Sequence, residues 1–258
     1  MTEAATLSAD AFVRNRAART GFTAFPGTMP ETLEEAYAIQ NAAIAAWPDA
    51  IVGWKVGRIT GEAEARLGEN RFVGPIFAQD VWPLAGDGTS AFPMIEGGFA
   101  ALEAELVARI AAPGDARHWS AQDCAGLVTS WHAGIEVAGS PLATINALGP
   151  LASIAGFGNN LGLILGPRLP LENPDAVRVT TRIDDEDFGP REAGQLPGGP
   201  LAAIAYALEK LAMLGHEVPE GTLISTGAIT GVHEVAPGQA CRVHFTPEAL
   251  LECLVTPR

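Results

Sequence analysis

Positive charge is scarce in this chain. Lysine and arginine together number 16 against 30 acidic residues, a formal net charge of −14. Without a basic stripe there is nothing to track a phosphate backbone or an anionic lipid surface, so neither nucleic acid nor membrane is expected as a partner. No run of about 18 apolar residues is present to span a bilayer. The opening stretch, "MTEAATLSADAF", has neither a basic nor an apolar region of the kind that marks a secretory signal. Cysteine is sparse as well. Cys124, Cys241 and Cys253 are odd in number, scattered and without metal-type spacing, which excludes a disulfide framework. They read as small buried hydrophobes in a reduced, cytoplasmic protein. Internal repeats and low-complexity tracts are missing too.

What is present is a composition that folds. Of the 258 residues 48% are hydrophobic, with 29 Gly and 19 Pro, as in a compact, turn-rich protein of one or two domains able to bury a core unaided. "TLEEAYAIQNAAIAAW" predicts a helix: Thr32 can cap it, Glu34 and Glu35 suit its first turn, and Leu33, Ala36, Tyr37, Ile44 and Trp47 form a stripe. A shorter helix is expected around residues 8–19. "IVGWKVG" reads as a strand, "AVRVTTRIDDEDFG" as a hairpin with an acidic turn, and "GGPLAAIAYALEKLAMLG" as a helix ending at Gly215. From residue 71 onward Gly and Pro punctuation suits short strands. The expectation is an α+β protein, with a small helical N-terminal part over residues 1–70 on a β-rich body over 71–258.

The chain has two lysines. Lys210 lies in the polar stripe of the later helix and reads as a solvated surface charge. Lys55 sits in a strand among Val52, Trp54 and Val56, where a lysine must snorkel, pair or serve a site. Gly53 and Gly57 on either side allow a ligand or a second backbone to come close. An edge-strand lysine turned toward water is the plainer alternative.

In "FAALEAELVARI" two glutamates, Glu103 and Glu105, are one residue apart with no basic neighbour before Arg109. Propensity favours a helix, in which the two point to nearly opposite sides and the pairing carries no meaning. In a strand they share a face and repel unless a proton or cation lies between them, and carboxylate-only ligation favours a hard ion such as Mg²⁺ or Mn²⁺. A third carboxylate, Glu136, stands in the β-compatible "SWHAGIEVAGS", four residues after His132, which is either an acid–base group, a ligand or a structural histidine.

Taken in order, "EEAYAIQ", "GWKVG", "LGENRFVGPIF", "LEAEL", "IEVAGS", "NNLGLILGP" and "LISTGAITGVHEVAPGQACRVHF" resemble the 2-keto-4-pentenoate hydratase and 4-oxalocrotonate decarboxylase group of the fumarylacetoacetate hydrolase superfamily. Each motif is weak alone; their order and spacing through most of the chain carry the resemblance. It implies a mixed β-sheet roll in which the E-x-E segment is a strand. It also implies that Glu103, Glu105 and Glu136 bind Mg²⁺ or Mn²⁺, that Lys55 lies near the substrate carboxylate and the metal, and that Gly227 and Thr230 of "STGAIT" contact substrate.

The activity implied is that of a metal-dependent hydro-lyase adding water to a 2-hydroxy-dienoate or unsaturated 2-keto acid in aromatic-compound catabolism, in a homo-oligomer. Three departures weigh against taking hydration as settled. Gln79, followed by Asp80, stands where hydratases often carry an acid. Gly156 and Phe157 replace an Asp-Asn pair, and the arginine often found shortly after the third glutamate is absent. A 2-keto acid decarboxylase, a C–C bond hydrolase of the fumarylpyruvate type, and a non-catalytic keto-acid binding protein or partner subunit are the alternatives.

Overall fold

The computed structural model of the chain describes residues 3–85, 89–246 and 249–257. Within these residues the helices are α1 (Glu3–Ala18), α2 (Leu33–Ala46), α3 (Glu62–Leu67), α4 (Ala121–Leu127), α5 (Ile145–Leu148), α6 (Pro150–Ala155) and α7 (Gly199–Leu214). The strands are β1 (Ile51–Arg58), β2 (Arg71–Phe77), β3 (Val81–Pro83), β4 (Ser90–Met94), β5 (Phe99–Ile110), β6 (Val128–Ser140), β7 (Asn160–Leu169), β8 (Arg178–Ile183), β9 (Glu186–Glu192), β10 (Leu223–Ser225), β11 (His233–Glu234), β12 (Ala240–Phe245) and β13 (Ala249–Pro257).

They form two mixed sheets. The larger runs β2-β1-β10-β5-β6-β7-β3 with β11 added to β5, and the smaller runs β4-β13-β12-β8-β9. β1 is parallel to β10, and both β2 against β1 and β6 against β5 are antiparallel. The expected α+β architecture is therefore present. β1 takes residues 51–58 into the large sheet, so the segment before residue 70 contributes a strand as well as helices. Among the described residues no helix is long and apolar enough to cross a membrane.

The local signals work as chemistry requires. Thr32 caps α2 in a reciprocal box, its Oγ1 accepting from the Glu35 N–H at 3.2 Å while Glu35 Oε2 accepts from the Thr32 N–H at 3.3 Å. α7 ends at Gly215 in the left-handed region. The hairpin of β8 and β9 turns at Asp184 and Asp185, and the three cysteines are free and buried.

β5 decides the functional argument, and it is a strand. Its even-numbered residues, Ala100, Leu102, Ala104, Leu106, Ala108 and Ile110, all enter the main hydrophobic core, while Phe99 and Ala101 on the opposite face enter a second core with α1, α2 and α6. A period of two buried on both faces is the mark of a central strand. Burial between β6 and β10 thus overrides the helical propensity of Ala, Leu and Glu. Truncating Leu106 to Ala in this setting costs about 2–5 kcal/mol.

One expectation is corrected. Lys210 is only 8% exposed, and its Nζ lies 2.5 Å from Glu69 Oε1 and over the Tyr206 ring. The polar stripe of α7 faces the segment leading into β2, where Glu69 reaches it, so the charge is paired instead of solvated.

Candidate active site

Because β5 is extended, Glu103 and Glu105 project from one face, and the β5–β6 register sets Glu136 directly across from Glu103. Each of the three offers a carboxylate oxygen within 4.8 Å of the others, and all three are buried. Lys55 comes from β1, opposite Ser225 of β10, and its Nζ is 3.1 Å from Glu136 Oε1. Sequence positions 55, 103, 105 and 136 therefore converge on one point.

The surrounding donors hold one oxygen of two carboxylates and leave the other. Glu105 Oε2 accepts from Ser225 Oγ at 2.5 Å and from the Gly227 N–H at 2.9 Å. Glu136 Oε1 accepts from Asn160 Nδ2 at 3.0 Å besides Lys55. Glu105 Oε1 and Glu136 Oε2 are buried with no hydrogen-bond partner among the described residues. Unpaired buried carboxylate oxygens are costly, and a hard divalent cation is the group whose charge and oxygen preference match this set.

Electrostatics tell the same story. Burial, and after it the charge of Glu136, pushes Glu103 up to about 7 despite the nearby Lys55. Glu105 is raised well above the ordinary carboxylate range by burial and by both other glutamates. For Lys55 burial acts to lower the pKa, but attraction to Glu136, Glu103 and Glu105 outweighs it and the net shift is upward.

Lys55 and Glu103 open onto a cavity of about 370 Å³ that is also lined by Arg58, Thr60, Ser153 and Asn159. Asn159 arrives by an unusual route. Phe157, Gly158 and Asn159 all have φ between 56 and 69°, a left-handed turn that glycine tolerates and the other two residues adopt only at a cost. The turn fits because Gly74 of β2 lies against it: a Cβ on Gly158 would meet Gly74 Cα at 2.5 Å. Asn159 Oδ1 is buried in the wall of the cavity, without a hydrogen-bond partner among the described residues.

The remaining sequence candidates fall elsewhere. Gly227 supports Glu105 through its N–H and is absent from the cavity wall. The Thr230 hydroxyl lies 2.7 Å from that of Thr181 and 3.2 Å from His233 Nε2, in a network reaching the smaller sheet. His132 stands outside the cluster, with its ring nitrogens 3.1 Å from Ser130 Oγ and 3.3 Å from the Gly166 carbonyl. Gln79 is exposed, whereas Asp80 is buried against Arg16 at 2.8 Å. A Cβ on Gly53 would meet Leu223 of β10 and one on Gly57 the Phe72 ring, and Gly57 also lines the cavity.

Ser225, Asn159 and Asn160 were not singled out by sequence reasoning. Ser225 opens the same "STGAIT" stretch that drew attention to Gly227, and both asparagines lie in the "AGFGNN" segment that departs from the family pattern.

The sequence matches no family model and no curated protein. The fold does match solved structures. The 4-oxalocrotonate decarboxylase from Pseudomonas putida G7, complexed with magnesium and adipate, aligns with a TM-score of 0.83 at 22% identity, over 99% of this chain and 98% of that one. The fumarylpyruvate hydrolase from Pseudomonas aeruginosa, in complex with Mn²⁺ and pyruvate, aligns with a TM-score of 0.59 at 19% identity, over 80% and 89%. The 2-hydroxyhepta-2,4-diene-1,7-dioate isomerase from Mycobacterium marinum gives 0.60 at 13% identity, over 81% and 77%. The fold implied by the sequence resemblance is the fold these proteins share with this chain.

Proposed function

We propose that this protein is a divalent-metal-dependent lyase acting on an unsaturated 2-keto acid, with Glu103, Glu105 and Glu136 holding Mg²⁺ or Mn²⁺. The observation that carries the proposal is the buried carboxylate triad with two unpaired oxygens beside Lys55 at the wall of a cavity. The magnesium and Mn²⁺ named for the decarboxylase and the hydrolase support the choice of ion. When bound, such an ion supplies Lewis-acid polarisation of the keto acid and stabilises the negative charge that develops on it.

The chain's own residues supply the rest. The Lys55 ammonium is the buried cation at the cavity wall, suited to hold the substrate carboxylate. It can also carry a proton: with the charge of the three glutamates neutralised, burial is the influence left, and burial lowers a lysine toward the range where it gives and takes protons. Asn159 presents its side chain, with Oδ1 unpaired among the described residues, to the cavity.

Among the described residues the titratable groups of the cavity wall are Lys55, Arg58 and Glu103. Asp80 is engaged by Arg16. Hydration requires an acid–base group to activate water at the far end of the conjugated chain. Decarboxylation requires less: the electrons of the breaking carbon–carbon bond run through the chain to the keto oxygen, CO₂ leaves, and one proton is returned. This inventory favours decarboxylation; hydration, expected from the sequence resemblance, is the second reading.

Purified protein with Mg²⁺ and an unsaturated 2-keto diacid separates these readings by CO₂ release, loss of dienoate absorbance or pyruvate formation. CO₂ release is expected. Binding without turnover of any such acid would sink the enzyme reading in favour of a binding protein.

A further inference from the structure

We infer that Arg16, on α1, is a positioning residue for the carboxylate cluster and acts through Asn160 on Glu136. The inference rests on the metal-centre reading above. Arg16 is buried, with Nη1 donating to the Asn160 carbonyl at 2.5 Å and Nη2 to the Leu161 carbonyl at 3.3 Å and to Asp80 Oδ2 at 2.8 Å. Its guanidinium also lies over the rings of Trp47, Phe77 and Phe157, 5.2, 5.4 and 5.1 Å from their centroids.

These contacts meet at an irregular point of the sheet. Asn160 is the first residue of β7 and pairs with Ala138, and the β6–β7 register shifts between Val137 and Ala138. Phe157, under the guanidinium, begins the left-handed turn that delivers Asn159 and Asn160. A strand start beside a register shift lacks a regular ladder on one side, so its backbone must be fixed by other donors. Arg16 provides two of them, to consecutive carbonyls.

The Asn160 side chain then passes this placement on. Its Nδ2 donates to Glu136 Oε1 at 3.0 Å, which together with Lys55 holds that oxygen and leaves Oε2 for a ligand. Desolvating an arginine–aspartate pair is expensive, and an apolar replacement of similar volume is often no less stable. Orientation of Glu136 gives this buried pair a role that packing alone does not.

The test is the Mn²⁺ dissociation constant, measured by calorimetric titration well below each variant's melting temperature, for wild type, Arg16→Met, Arg16→Lys, Asn160→Ala and the Arg16→Met/Asn160→Ala double variant. Arg16→Met is expected to weaken Mn²⁺ binding about 10-fold, within the range seen when a partner of a ligand is removed. Arg16→Lys should recover part of the loss. The double variant should bind no more weakly than Asn160→Ala alone, because the two residues act in series.

Unchanged affinity in Arg16→Met, or losses that add in the double variant, would overturn the role of Arg16. Should Arg16→Met not fold, Arg16→Lys and Asp80→Asn carry the test: weakened binding supports the role and wild-type affinity overturns it. Wild-type protein that takes up no Mn²⁺ overturns the metal-centre reading itself, a result distinct from equal binding by wild type and variant.

Discussion

Glu103 and Glu136 face each other across adjacent antiparallel strands, both buried, with the Lys55 ammonium 3.1 Å from Glu136 Oε1. Like charges placed directly opposite destabilise a sheet. The relationship therefore has a thermodynamic signature that differs between the metal-free and metal-loaded protein.

Replacing Glu103 with Gln removes one of the repelling charges and one ligand. The metal-free Glu103→Gln protein should melt at a higher temperature than metal-free wild type, while its Mn²⁺ affinity falls by at least about the 10–100-fold typical of losing a ligand's partner. Differential scanning calorimetry with and without Mn²⁺ reads both. A variant that is less stable without metal would contradict the repulsion.

Acidity should modulate the same balance. Glu103, raised to about 7, holds its proton more tightly in the folded protein than in the unfolded chain. Its contribution to metal-free stability is complete below its unfolded pKa and is lost as pH rises through about 7. Glu105 is shifted in the same direction. Protons and cation compete for these oxygens, so the rise in Tm produced by Mn²⁺ should be larger at pH 8 than at pH 5.5. A shift independent of pH would exclude these carboxylates as the ligands.

Lys55→Met tests the division of labour. Turnover of the keto acid should fall by roughly 10²–10⁴-fold in kcat/KM, the scale of lost proton transfer. Mn²⁺ should still bind, because Asn160 continues to hold Glu136 Oε1. Steady-state kinetics paired with metal titration checks this, and retained turnover would remove Lys55 from the chemistry.

Asn159→Ala addresses the cavity wall. Asn159 Oδ1 has no hydrogen-bond partner among the described residues, but alanine suits the left-handed φ of 56° less well than asparagine does, so the substitution should lower Tm slightly. KM should rise by about 3–10-fold, the worth of one neutral hydrogen bond. An unchanged KM would mean that the amide does not meet substrate.

Much of this was legible in the sequence where residue type and spacing act locally. The capping of α2, the stop of α7 at Gly215 and the acidic hairpin turn each depend on a few adjacent residues. Glu103 and Glu105 were ambiguous by the same logic, because alternating Ala, Leu and Glu suit a helix until neighbouring strands bury both faces. The resemblance supplied that tertiary information.

Other features had no local signature. Asn160 reaches Glu136 only because β6 and β7 pair, and Asp80 meets Arg16 across 64 positions of sequence. Lys210 misled because a helical stripe shows which face is polar, not whether an acid such as Glu69 waits beside it. Gly53 and Gly57 signalled close approach, and the Leu223 backbone of β10 comes up to Gly53 as one of the two expected alternatives, but the Phe72 ring against Gly57 had no local signature.

The groups around the carboxylates come from β1, β5, β6, β7 and β10 of one sheet, from Lys55 to Ser225 in sequence. Contacts so far apart in the chain form late, after most loop-closure entropy has been lost. The three ligands lie on the paired strands β5 and β6, but the groups that fix their carboxylates come from β1, β7 and β10, so a cation is not expected to be held firmly until the sheet has closed. It would instead act as a brake on the reverse process: metal should slow unfolding far more than it speeds folding, and scarcity of metal would show first as a shorter lifetime of the native protein.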